Sequence, residues 1–313
     1  MKVLVTGADG FVGSLLVRRL LDEGHDVTGG IRAEAGSEPE QLRRNSLPDV
    51  RRLSLELLDG ASVREALFEG WDAVVHLAAV SSVDDARRAP IAAWDVNATG
   101  SARIAYAMAE SKVAGEDPLL LLVSTAEVYG SGPPVPRVET DPVRPVSAYA
   151  ASKLAAEVAC LEVHRSTGLR VVVARPFPHV GGGQDTRFVV PAFLERLRWA
   201  KQNGAPVVKV GRTDPIREFM HVNDVVDAYL AILERSTPGE VYNVASGRAV
   251  SVKEIFFMLA DAVGHRAIPE SDTKLTRPTD IEYLVGDSTK LRDETGWEPR
   301  FTLQRIVEEI VNA

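Results

Sequence analysis

Lys2-Val3-Leu4-Val5-Thr6-Gly7-Ala8-Asp9-Gly10-Phe11-Val12-Gly13 is the stretch on which the fold turns. The apolar run from Lys2 to Thr6 reads as a strand buried on both faces, as in the interior of a parallel sheet. Three glycines follow at a spacing of three. Beyond them, Ser14 to Glu23 carries Leu15, Leu16, Val17, Leu20 and Leu21 at helical spacing. Glycines at such a junction permit a tight turn and a close backbone approach to a ligand. The helix that follows aims its free N–H groups at a pyrophosphate. The spacing departs from G-x-G-x-x-G, and a glycine triplet alone is often only a turn. Its place between a strand and an amphipathic helix makes it a nucleotide loop.

Outward from this unit, strands are expected at His25 to Ile31, Val50 to Leu58, Trp71 to Ala79, Leu119 to Val123 and Leu169 to Ala174. Helical patterns alternate with most of them. Right-handed crossovers then give an α/β fold with a doubly wound parallel (Rossmann) sheet. Ala33 to Asp49, rich in Gly, Glu, Pro and Arg, is expected to form a mobile surface loop. The pattern changes after Arg175-Pro176-Phe177-Pro178. A Gly-rich turn (Gly181 to Gly183), a helix around Phe188 to Trp199, and short strands at Val207 to Val210 and Glu240 to Val244 come next. Amphipathic helices at Val252 to Val263 and Leu303 to Val311 complete a smaller α/β lobe. Val222 to Glu234 is expected to return to the first lobe as a helix. The domains drawn from this are 1–174 plus 215–243 for the dinucleotide and 175–214 plus 244–313 for the substrate.

The 313 residues are 45% hydrophobic and 26% charged, ordinary for a globular protein with room for two lobes. A net charge of −8 without any basic block argues against a nucleic-acid partner. The chain runs from Met1 straight into its first strand, leaving no room for a signal peptide, and no apolar run would span a bilayer. A cytoplasmic protein with no membrane partner is expected. Cys160 is the only cysteine, which excludes an internal disulfide and a Cys-based metal cluster. No metal is expected.

Ser147-Ala148-Tyr149-Ala150-Ala151-Ser152-Lys153 opens a strongly helix-forming run, placing a phenol and an ammonium one turn apart on one face. A cation beside a tyrosine favours the phenolate, so Tyr149 is expected to titrate well below about 10 and to exchange protons near neutrality. YxxxK alone is a common pattern. The glycine loop and the Ser124-Thr125 pair ending a strand upstream favour a hydride-transfer site. The second strand ends Gly29-Gly30-Ile31-Arg32, with no acid for the adenosine ribose hydroxyls and an Arg next in line. That favours NADP(H), with NAD(H) as the alternative. Asp59 is placed either to meet the adenine edge or to cap the next helix.

With Thr6-Gly-Ala-Asp-Gly-Phe-Val-Gly13 and Tyr149-Ala-Ala-Ser-Lys153, the sequence resembles the extended short-chain dehydrogenase/reductases, the nucleotide-sugar epimerases, dehydratases and reductases. The likeness runs the whole chain, through His76-Leu-Ala-Ala79, Asn97-Ala-Thr-Gly100, Ser124-Thr-Ala-Glu-Val-Tyr-Gly130, Arg217-Glu-Phe-Met-His-Val-Asn-Asp224, Tyr242-Asn-Val-Ala-Ser-Gly247 and Gly296-Trp-Glu-Pro299. Val208 to Arg212 with Arg217, and Arg277-Pro-Thr-Asp280, point within the family to reductases of GDP-4-keto-6-deoxy-D-mannose, with GDP-mannose 4,6-dehydratases next.

The resemblance implies roles. Tyr149 would be the acid/base, with Lys153 orienting the nicotinamide ribose and Thr125 bonding the reacting sugar oxygen. Glu127 would join them, although it does not separate reductase from dehydratase. Asp9, Phe11 and Val12 would meet the cofactor with Gly7, Gly10 and Gly13. Arg32, Leu58 and Asp59 would hold its adenosine; Leu77, Ala78 and Ala79, then Val123 and Pro176, would line the rest, with Asn97, a helix Asn that braces the active site, among the cofactor contacts. Ser82, His179, Phe188 and Val189 would hold the sugar nucleotide. Arg217 and Arg277 would grip its diphosphate, and Asp280 its nucleoside. One departure is plain: Pro178 stands where the family carries Asn, removing an amide side chain and a backbone donor.

The leading expectation is an NADPH-dependent reduction of a nucleotide-linked 4-keto-6-deoxyhexose. A 4,6-dehydratase or 4-epimerase is the runner-up, and a non-catalytic NADP(H)-binding regulator on the same fold is the alternative of another class. A homodimer is expected through the Ala-rich helices at Ala92 to Ala109 and Ala148 to Val163.

Overall fold

Val3 and Val5 point to one face of the first strand and Leu4 to the other, and all three are wholly buried, so the sheet carries helices on both sides. The computed structural model describes residues 1–32, 47–112, 117–276 and 280–313. The expected loop after the second strand falls, over residues 33–46, outside the described residues.

Seven strands form the main sheet: β1 (Lys2–Thr6), β2 (Asp26–Ile31), β3 (Arg51–Ser54), β4 (Ala73–His76), β5 (Leu119–Val123), β6 (Arg170–Pro176) and, late in the chain, β11 (Val241–Val244). Their order is β11-β6-β5-β4-β1-β2-β3, and every pairing is parallel. Helices α1 (Phe11–Asp22) and α8 (Val222–Arg235) cover one face; α2 (Gly60–Leu67), α5 (Gly100–Ser111) and α6 (Ala148–Thr167) cover the other. Two short helices, α3 (Val83–Arg88) and α4 (Pro90–Trp94), lead through a π-helical turn at Asp95–Thr99 into α5. The doubly wound parallel architecture is the one the sequence implied.

Differences from the sequence reading have local causes. The third strand stops at Ser54 rather than Leu58, because the backbone turns there (Asp59 N–H to Glu56 O, 3.0 Å) and drops Leu55 and Leu57 into the core. The strand expected at Glu240 to Val244 does not belong to the smaller lobe. It pairs with β6, where Tyr242 and Val244 extend the main core.

The smaller lobe packs α7 (Val189–Asn203), α9 (Val252–Val263) and α11 (Leu303–Asn312) around Phe193, Leu197, Phe256, Leu259 and Ile306. Phe193 and Phe256 meet edge to face, 5.3 Å between centroids, a geometry the ring quadrupoles favour. Three two-stranded ladders tie it together: β7 (His179–Val180) with β10 (Met220–His221), β8 (Val207–Val210) with β13 (Ile268–Ser271), and β9 (Ile216–Arg217) with β12 (Val250–Ser251). A Ser251–Glu254 capping box starts α9. The helix α10 (Thr289–Thr295) lays Leu291 against the main core, and Trp297 follows it there. Among the described residues, no helix is long and apolar enough to cross a membrane.

Candidate active site

The strand order reverses between β1 and β4, and a cleft of about 1680 Å³ opens at their C-terminal ends, walled on its far side by the smaller lobe. Its floor is the glycine loop. Gly7 has φ +67°, and a Cβ there would lie 2.9 Å from the Ala78 nitrogen. A Cβ on Gly13 would lie 2.1 Å from the Gly7 carbonyl oxygen. Both positions therefore exclude side chains. Phe11 and Val12 start α1, so their N–H groups have no partner within the helix and face the cleft that Asp9 and Gly10 also line. Leu77, Ala78, Ala79, Val123, Pro176 and the exposed Arg32 line the same cleft.

Leu58 and Asp59 do not. Leu58 is 48% exposed on the outside, and Asp59 is the N-cap of α2, accepting from the Ala61 N–H at 2.9 Å. The turn that ends β3 early presents Glu56 and Leu57 to the cleft in their place. The lining pair lies two residues earlier than the assigned one.

Ser147 caps α6 by accepting from the Ala150 N–H at 3.1 Å, and Gly168 at φ 72° ends the helix twenty residues on. The i, i+4 spacing then stacks Tyr149, Lys153 and Glu157 on the face turned to the sheet. Thr125 follows β5, and its hydroxyl stands near the Tyr149 phenol while accepting from the Glu127 N–H at 3.2 Å. Thr125, Glu127, Tyr149 and Lys153 all line the cleft.

The expected depression of the Tyr149 pKa is not found. Burial pushes the phenol up, the Glu127 charge pushes it further, and the nearby Thr125 hydroxyl opposes both only in part. Burial also lowers the Lys153 ammonium to about 8, against the neighbouring Glu157 charge, which raises it. Desolvation outweighs the pairwise attraction that the sequence suggested, and Tyr149 holds its proton.

Asn97 does not reach the cleft either. It sits in the π-helical turn, 1% exposed, and takes the Val80 backbone at both ends (Oδ1 from N–H at 2.8 Å, Nδ2 to carbonyl at 3.1 Å). Its Nδ2 also donates to Ser152 Oγ at 3.0 Å, and Ser152 Oγ donates to the Tyr149 carbonyl at 2.8 Å. Asn97 therefore braces the start of α6 rather than lining the cofactor groove. A second chain of bonds meets it. Ser101 Oγ donates to the Asn97 carbonyl at 2.6 Å and so accepts from His76 Nε2 at 3.0 Å; His76 Nδ1 is left to accept from Thr6 Oγ1 at 2.7 Å. This fixes a neutral imidazole, consistent with burial lowering His76 to about 3.

Behind Lys153 lies a pair that the sequence reading passed over. Glu157 accepts from Ser124 Oγ at 2.5 Å and from Arg175 Nε and Nη2 at 3.0 and 2.7 Å. Arg175 also stands over the Tyr129 ring, 4.9 Å from its centroid, and donates to the Tyr129 hydroxyl at 3.0 Å. The signal was present: Glu157 is the next i+4 position after Tyr149 and Lys153, and a carboxylate on a buried helical face needs a cation.

On the smaller-lobe side, Ser82, His179, Phe188 and Val189 line the cleft. Ser82 also caps α3, and Phe188 is the N-cap of α7. His179 Nδ1 lies 3.0 Å from the Phe177 carbonyl, and burial lowers its pKa. Pro178 keeps a backbone role: its carbonyl accepts from the Met220 N–H at 2.9 Å. Arg217 and Asp280 line the cleft but face each other, Nη2 to Oδ1 at 2.7 Å. Arg277 lies outside the described residues. Glu218, fully buried, was also passed over. It accepts from the backbone at Ser246, Gly247 and Gly286 and from Ser246 Oγ, fixing two loops behind Arg217.

Comparison with known proteins agrees over the full chain. The family model described as GDP-mannose 4,6 dehydratase matches residues 4–310. A GDP-6-deoxy-D-mannose reductase of Pseudomonas aeruginosa is 33% identical, covering 99% of this chain and 96% of the relative. The solved structure of RMD from Pseudomonas aeruginosa complexed with NADPH superposes with a TM-score of 0.82 at 30% identity, over 100% of this chain and 98% of that one. The UDP-glucose 4-epimerase of Thermus thermophilus, complexed with NAD, gives 0.85 at 31% identity, over 100% and 98%.

Proposed function

The chain belongs to the GDP-mannose 4,6 dehydratase family, and from that membership we propose that it is an NADPH-dependent reductase of a nucleotide-linked 4-keto-6-deoxyhexose, of the GDP-4-keto-6-deoxy-D-mannose type. The carrying observation is that the Thr125 and Tyr149 hydroxyls line one cleft, with Lys153, at the junction of the glycine-loop groove and the smaller lobe. Those two hydroxyls are the groups that a carbonyl on its way to an alcohol needs.

The groove fits a nicotinamide dinucleotide because Gly7 and Gly13 keep the loop free of side chains and the first turn of α1 offers its N–H groups. Bound there, NADPH would supply the hydride. Thr125 polarises the C4 carbonyl by donating to its oxygen, and Tyr149 delivers its phenolic proton there as charge develops. A phenol held in its protonated form suits the reducing direction. Lys153 supports the nicotinamide ribose and the phenol, and Glu157 keeps the ammonium charged against burial. Arg217 and Asp280 separate to take the diphosphate and the nucleoside, a diphosphate role that the family resemblance also gives Arg277; Ser82, His179, Phe188 and Val189 hold the sugar nucleotide. The dinucleotide-binding domain is built on residues 1–174 and 215–243, joined by Val244, α10 and Trp297, which pack on its sheet; the sugar-nucleotide lobe takes the rest of 175–214 and 244–313 together with β9, which pairs with β12.

Glu127 favours a second reading. A carboxylate beside the phenol is what elimination of water across C5–C6 requires, and a 4,6-dehydratase would regenerate its cofactor in place. One assay separates the two. A reductase consumes NADPH stoichiometrically with a GDP-linked 4-keto-6-deoxyhexose; a dehydratase or epimerase turns over a GDP-, dTDP- or UDP-hexose without net consumption. No consumption with any 4-keto sugar nucleotide would overturn the reductase assignment.

We also propose a cytoplasmic homodimer built on α4, α5 and α6, which leave Ile91 (71% exposed), Trp94, Tyr106 and Val158 (60% exposed) on the surface.

A further inference from the structure

Arg51 and Arg52 are neighbours on β3, and a strand turns successive side chains to opposite faces. Arg51 turns away from the cleft and pairs with Glu69 through two bonds of 2.5 and 2.7 Å. Arg52 turns into the cleft and lines it with Arg32. The register sets Arg52 beside Gly29 on β2, and β2 runs on from there through Gly30 and Ile31 to Arg32. Gly30, between the two arginines along the cleft, adds no side chain of its own. Both guanidinium groups are exposed, and among the described residues neither has a carboxylate partner. Glu56, which also lines the cleft, has its Oε1 occupied by the Leu58 N–H at 3.2 Å.

Two like charges on one wall raise the free energy of that wall unless a counter-charge joins them. A phosphomonoester carries about −1.5 to −2 at neutral pH and offers three acceptor oxygens that guanidinium forks match bidentately. A diphosphate bridge would be held elsewhere, at the start of α1. We propose that Arg52 is the second cation, with Arg32, of a site for the adenosine 2′-phosphate, and that Arg52 discriminates NADPH from NADH. The inference rests on the NADPH assignment above.

The test measures dissociation constants for NADPH, NADH, adenosine 2′,5′-bisphosphate and 5′-AMP on the purified protein, with Arg52→Ala, Arg52→Lys and Arg51→Ala. A charged hydrogen bond contributes enough for Arg52→Ala to weaken NADPH and the bisphosphate about 10- to 100-fold. NADH and 5′-AMP should change less than about twofold, Arg52→Lys should recover part of the loss, and Arg51→Ala should leave all four unchanged. If Arg52→Ala weakens the phosphorylated and unphosphorylated ligands equally, Arg52 serves the shared adenosine and the proposal fails. It fails also if Arg52→Ala leaves the NADPH/NADH ratio unchanged. A wild-type protein with no preference for NADPH would overturn the cofactor assignment itself, a distinguishable result. An unchanged melting temperature for Arg52→Ala separates these outcomes from misfolding.

Discussion

Glu157 accepts both Nε and Nη2 of Arg175, at 3.0 and 2.7 Å, one helical turn beyond Lys153. Both partners are buried, so the pair is bound to the fold as well as to the cleft. Removing one partner strands the other charge out of water. Glu157→Gln is therefore expected to lower stability by about 3–5 kcal/mol, and Glu157→Gln with Arg175→Met to recover much of it. Urea unfolding of the three proteins checks this; equal losses for single and double variants would refute it.

Lys153 titrates near 8 because burial outweighs the Glu157 charge. A lysine whose folded pKa is depressed loses its ammonium as pH rises through that value. NADPH affinity should fall above about pH 8, and Lys153→Ala should weaken it at every pH and flatten the profile. A profile unchanged in Lys153→Ala would assign the titration to another group.

Tyr149→Phe removes one hydroxyl and keeps the ring. Single-turnover reduction of a 4-keto sugar nucleotide should slow by a factor of about 10² to 10⁴, with NADPH binding nearly intact. Thr125→Val should cost a similar factor. Wild-type rates in Tyr149→Phe would mean that another group supplies the proton.

The Glu127 charge raises the phenol. Burial alone keeps the phenol protonated, so Glu127→Gln should leave the basic limb of the kcat/KM profile with Lys153. In the reductase reading kcat near pH 7 survives, whereas a dehydratase would lose most of its turnover. The two profiles, measured side by side, decide between those readings.

His76 is held neutral, its pKa lowered to about 3 against an ordinary value of 6.5. Below pH 6.5 the unfolded chain takes up a proton that the folded chain refuses, so stability falls as pH falls. One such group contributes a slope of about 1.4 kcal/mol per pH unit. His76→Gln should be less stable at pH 7 but lose about 2 kcal/mol less than wild type between pH 6.5 and 5. Parallel stability curves for the two proteins would remove His76 as the cause.

Homodimer formation should show as twice the 33.9 kDa chain mass in light scattering at micromolar concentration. Val158→Asp, on the exposed side of α6, should shift the species to monomer. A monomeric wild type would exclude the interface.

Some features of this protein are fixed by short-range rules and are legible in the chain itself. The β1–loop–α1 unit follows from an apolar run, three glycines and a helical period. Tyr149 and Lys153 share a face because a helix repeats every 3.6 residues, whatever surrounds it. The parallel sheet follows from alternation alone, since helical crossovers close in one hand. What only the tertiary structure decided lies between distant segments. Thr6 and His76 are 70 residues apart, Arg217 and Asp280 are 63 apart, and no local pattern says they meet. The direction of the Tyr149 shift was not legible either, because desolvation depends on the whole packed surroundings, while spacing reveals only the nearby cation. Glu56 replaced Asp59 at the cleft through a turn of four residues, and Arg51 and Arg52 parted company because a strand has two faces and only the fold says which one borders the cleft.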